Sequence, residues 1–162
     1  MQEFIGQRTN ADCVIACIRM ASGFSEEEVR GSLIHKPEDH LKDTNIPKGI
    51  SEPEIFFLLN ALGMPYQYEV TKEHLVTSLP PEERVLRERW MSGSLYTEKE
   101  LKGYLIASRF NAMLMIDTFR EDGYHMVYFD GSQVWDPAAP NLKAASKNID
   151  KVVIRSAWIF RN

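Results

Sequence analysis

The sequence has only two cysteines, Cys13 and Cys17, four apart in one apolar stretch. That spacing suits a helix and makes them poor disulfide partners, so a reduced, cytoplasmic protein is expected. No apolar run is long enough to cross a bilayer, and no signal peptide precedes the first motif. Membrane insertion is therefore not expected. Charge of one sign is also scarce: 19 basic against 23 acidic residues leave a formal net charge of −4. A balance this mildly acidic argues against nucleic acid or an anionic lipid surface as partner. There is no Walker loop, no GxGxxG, no GxSxG, no internal repeat and no low-complexity tract. Nothing in the pattern calls for a cofactor.

What is present is a chain of 162 residues, 44% of them apolar, enough for one domain with a real core. Its first half reads as helices. Asn10 or Asp12 can cap a helix over 12–21 that stops at Gly23. Ser25 and Glu28 form a capping box for a short helix to about Leu33. Residues 35–49, with Pro37, Asn45, Pro47 and Gly49, read as a loop. Ser51 opens a helix carrying Ile55, Leu58, Leu59 and Leu62 on one face, with Gly63 as its stop. A short strand over 64–70, a short helix over 71–79 and a charged helix over 82–91 follow. Thr97 and Glu100 then box a helix reaching Arg109.

The period changes after that. Strands are expected over 112–118, 125–129, 133–136 and 152–160, with a turn at 120–123 and a loop at 137–148. Helices first and antiparallel strands last, without βαβ alternation, give an α+β fold in a single domain.

The chemistry concentrates at two places. Cys13 falls in the first turn of the first helix, where free N–H groups and the helix dipole favour an anionic sulfur. The neighbouring Asp12 opposes that charge. Gln7 lies six residues upstream, and a loop folding back would aim its amide at the same spot as the Cys13 N–H, giving two oxyanion donors. The second place is a hairpin. With Asp130-Gly131 as a two-residue turn, Tyr128 faces Gln133 and His125 faces Asp136. Opposed side chains lie roughly 5 Å apart at Cβ, so the imidazole can reach the carboxylate. That is the orienting half of a nucleophile–His–acid site. A solvated His–Asp pair on a hairpin, and two small apolar core cysteines, are the bland alternatives.

The run Gln7, Asp12-Cys13, Ala16-Cys17 and Met20, with His125-Met126-Val127 and Val134-Trp135-Asp136-Pro137 far downstream, resembles the papain-like peptidase domain of bacteriocin-exporting ABC transporters, the double-glycine leader peptidases. Gly49-Ile50-Ser51 and Leu59–Gly63 are similar to that family's middle motifs. The resemblance implies a papain-like fold with N-terminal helices packed on a C-terminal antiparallel sheet. It implies Cys13 as nucleophile, His125 as general base and acid, Asp136 as orienter and Gln7 as oxyanion donor, acting on a peptide or protein substrate. Two departures stand out: Val14 occupies a position usually held by Gly, and residues 71–109 are more helical and charged than the family segment. Substrate specificity is therefore not carried over.

The rival chemistry is a zinc site from Cys13, Cys17, His35 and His40. It is disfavoured because the cysteines sit on an apolar helix and Pro37 separates the histidines. The expectation is a cysteine peptidase. The same chemistry on a side-chain amide (a papain-like glutamine deamidase), acyl transfer to another amine, or an inactive peptide-binding module on the same fold are the alternatives.

Overall fold

A computed structural model of the chain describes residues 3–6, 12–33, 50–77, 82, 95–117 and 124–161. Among the described residues, five helices precede all of the sheet but its first strand. Helix α1 (Cys13–Ser22) ends as expected at Gly23, whose φ of 77° lets its N–H turn back to the Arg19 carbonyl. Helix α2 (Glu26–Gly31) starts at the Ser25–Glu28 capping box, and α3 (Glu52–Ala61) at Ser51. Strand β1 (Gln67–Val70) leads into α4 (Lys72–Thr77). The second capping box, Thr97 with Glu100, opens α5 (Glu98–Ser108). The expected loop at 35–49 and turn at 120–123 lie outside the described residues, as does the helix at 82–91 apart from residue 82.

The remaining strands are β2 (Asn111–Asp117), β3 (Tyr124–Phe129), β4 (Val134–Trp135), β5 (Ser146–Lys147) and β6 (Ile154–Phe160). All strand pairs are antiparallel, and the sheet order is β1-β6-β2-β3-β4-β5. The fold is α+β. Two features of the C-terminal half differ from expectation. Residues 137–148 are not one loop: Asn141 caps a single helical turn, α6 (Leu142–Ala145), and β5 follows. Asn148 likewise caps a 3-10 turn (Ile149–Lys151), which delays the last strand. Elements this short carry no periodic signal, only their capping asparagines.

Both faces of the sheet are covered. On one, Met113, Met115, Met126, Tyr128 and Trp158 pack with Ile15, Ile18, Ile55, Leu58 and Leu59 of α1 and α3. On the other, Ala112, Leu114, Val127, Phe129 and Ala157 pack with Leu101 and Leu105 of α5. That second layer explains the run Ala112–Ile116, which is apolar on alternate and intervening positions alike. Among the described residues, no helix is long and apolar enough to cross a membrane.

Candidate active site

The hairpin that carries the site is wider than a two-residue turn. Strand β3 pairs with β4 as Tyr128 opposite Trp135 and Phe129 opposite Val134. The expected register, with Tyr128 opposite Gln133 and His125 opposite Asp136, is therefore corrected by two positions. The cause is Asp130. Its Oδ1 accepts from the Ser132 and Gln133 N–H groups, both at 2.8 Å, and its Oδ2 accepts from Trp135 Nε1 at 2.7 Å. The side chain thus organises a four-residue turn, closed by the Asp130 N–H to the Gln133 carbonyl. Gly131, with φ of 91°, fits this turn because a Cβ there would lie 2.5 Å from the Arg109 carbonyl oxygen at the end of α5.

A displacement of two keeps every side chain on its expected face, whereas one would have reversed it. His125 and Asp136 consequently meet along a diagonal rather than directly across. His125 Nε2 lies 2.6 Å from Asp136 Oδ1, and both side chains are largely buried. The same Oδ1 accepts from the Ala138 N–H at 2.9 Å, in the tight turn made by Asp136-Pro137. Lys147 Nζ, from β5, reaches Oδ2 at 3.1 Å. Asp136 therefore has its orientation fixed from three directions.

The other side of the imidazole meets α1. Cys13, the first residue of that helix, lies close enough to His125 to favour its protonated ring. With Nε2 committed to Asp136, Nδ1 is the nitrogen left for the sulfur. Burial works against a charged His125 ring, but the Asp136 hydrogen bond and then Cys13 outweigh it and push the imidazole up to about 9. Burial also works against ionised Asp136. The His125 bond, the Ala138 N–H and Lys147 more than offset it and hold the carboxyl well below the usual range. The pair is accordingly an imidazolium–carboxylate ion pair at neutral pH.

Cys17 is fully buried one turn further along α1. Its burial, and then the nearness of Cys13 and Asp136, push its thiol well above the ordinary value. Cys13 retains slight exposure, 8%. Asp12, expected to oppose charge at Cys13, does not cap the helix with its side chain; its buried carboxylate pairs with Arg30 of α2 at 3.1 Å. The Val14 side chain lies in the core beneath α1. Asp117, at the end of β2, is engaged by Arg155 Nε, and the Arg155 guanidinium stacks over Tyr124 at 4.5 Å.

Cys13, His125 and Asp136 are thus brought together. Gln7 lies outside the described residues, as do His35 and His40 of the zinc alternative. Among the described residues, no group of three His, Cys, Asp or Glu side chains could hold a metal ion. Two contributors were not foreseen from sequence. Lys147 sits in a stretch read as loop, and Arg30 meets Asp12 across two helices, a pairing no local spacing encodes. Comparison with protein-family models, curated proteins and solved structures returns no match.

Proposed function

We propose that this protein is a papain-like cysteine peptidase that cleaves a peptide bond through Cys13, His125 and Asp136. One observation carries the reading: a single imidazole lies beside a helix-start cysteine and is bonded to a well-held carboxylate. Cys13 passes its thiol proton to His125 and its sulfur attacks the carbonyl carbon, whose oxygen becomes an oxyanion. The Cys13 backbone N–H, at a helix start and thus without an intrahelical acceptor, donates to that oxygen. Gln7 supplies the second donor in this reading. The His125 imidazolium gives its proton to the leaving amine as the C–N bond breaks. The neutral ring then takes a proton from water, whose oxygen attacks the thioester and returns the Cys13 sulfur. Asp136 keeps Nδ1 directed at the sulfur and stabilises the imidazolium whenever it forms.

The test uses a peptide library with mass spectrometry, on the native protein and on Cys13→Ala. Cleavage by the native protein alone is expected. A one-dalton gain in the peptides would replace peptidase by glutamine deamidase. Joined peptides would indicate acyl transfer. Equal products from both proteins, or none from either together with no labelling of Cys13 by a thiol-reactive probe, would refute the enzyme reading.

A further inference from the structure

We propose that Lys147 is a positioning residue that lowers the basicity of His125 by acting through Asp136. The proposal deepens the cysteine peptidase reading and rests on it for its catalytic meaning. Its physical content can be tested without any substrate.

The geometry is specific. The Asp136 carboxylate is bonded on Oδ1 by His125 Nε2 and the Ala138 N–H, and on Oδ2 by Lys147 Nζ at 3.1 Å. Lys147 is delivered by β5, the edge strand, in register with Val134. Strand β4 is held between β3 and β5, and the Asp136 N–H donates to the Ala145 carbonyl immediately before β5. The ammonium is thereby anchored to the same backbone as the carboxylate. Among the described residues, the charged and titratable groups facing the pair are Cys13 and Cys17 from α1 and Lys147 from β5.

A carboxylate at 2.6 Å favours the protonated ring and so holds its proton more firmly. A general acid works best when its proton is only moderately held. Lys147 shares the carboxylate and repels a positive ring across it, so both effects loosen the proton. Its side chain is 43% exposed, so solvent and salt screen the effect.

Three substitutions separate charge from hydrogen bonding. Lys147→Met removes both, Lys147→Gln keeps a donor without charge, and Lys147→Arg keeps both. The His125 ring is titrated by long-range nitrogen–proton NMR in each. Lys147→Met and Lys147→Gln are expected to raise its midpoint by about half a pH unit, with Lys147→Arg matching the native protein. The rise should shrink in about 1 M salt. An unchanged or lowered midpoint in Lys147→Gln would overturn the proposal, because a purely structural anchor predicts no rise. So would Lys147→Arg behaving like Lys147→Met. Peptide cleavage, followed in parallel, reports on the peptidase reading separately: a raised midpoint in an inactive protein keeps the Lys147 assignment and removes the enzyme.

Discussion

Replacing Asp136 by Asn tests the electrostatics of the site most directly. The substitution keeps the size of the side chain, and its amide oxygen can still accept from the Ala138 N–H. It removes the charge that faces His125 at 2.6 Å and Lys147 at 3.1 Å. His125 is pushed up from 6.5 to about 9 by Asp136 first and Cys13 second, against burial. That elevation is worth on the order of 3 kcal/mol of preference for the protonated ring. The lowered Asp136 value describes the same contact from the other side, so it is not added. Because the folded-state value of His125 is raised, its stabilisation is fully present below about 6.5 and is lost as pH rises through about 9. Because the Asp136 value is depressed, the contact is present above about 4 and lost as pH falls further. In Asp136→Asn the His125 midpoint should fall by more than about one pH unit, since only Cys13 remains to oppose burial. Urea unfolding at pH 6 should show a loss of roughly 2 kcal/mol, shrinking toward zero above about pH 9.5. Nitrogen–proton NMR of the imidazole and unfolding at the two pH values are the assays. An unmoved midpoint, with an equal stability loss at both pH values, would refute the ion pair.

Alkylation with iodoacetamide, mapped by mass spectrometry, should label Cys13 well before Cys17, because Cys17 is sealed in the core and its thiol is held protonated; preferential labelling of Cys17 would reverse the assignment of the nucleophile. Asp117→Asn should leave peptide cleavage within about twofold of native, since its partner is Arg155 and not His125; a loss as large as that of Asp136→Asn would move the third member of the site to β2. Arg30→Ala should cost about 2 kcal/mol, as measured by urea unfolding, by weakening the compensation of the buried Asp12 carboxylate beside Cys13. Gly131→Ala should cost about 2 kcal/mol or more, because positive φ and the Arg109 carbonyl both oppose a Cβ; native-like stability would mean that the turn can move away from α5.

The parts of the fold that the sequence discloses are those governed by neighbours in the chain. Ser25, Ser51 and Thr97 each start a helix through contacts three residues away, and Gly23 stops one for a purely local reason. What was not legible depends on contacts between distant segments or on one side chain doing two jobs. Asp130-Gly131 carries the composition of a two-residue turn, yet Asp130 also takes Trp135 Nε1 and holds a longer one. The pairing of His125 with Asp136 was readable in spite of the register because a slip of two preserves the face. Lys147 and Arg30 could not be read as parts of the site, since nothing near either residue in sequence points to its partner.

The sheet order has a consequence for how the protein is made. Strand β6, last of the strands in chain order, lies between β1 and β2, inside the sheet rather than at its rim. During synthesis, β1 and β2 emerge with a gap between them that only residues 154–160 can fill. Until then Trp158 is missing from the aromatic group with Tyr68 and Phe56, and β1 has no partner. His125 and Asp136 also follow Cys13 by most of the chain. A nascent chain that has not yet reached residue 125 therefore has no imidazole to place beside Cys13. Residues 154–160 therefore close the sheet only after Cys13, His125 and Asp136 have all been made.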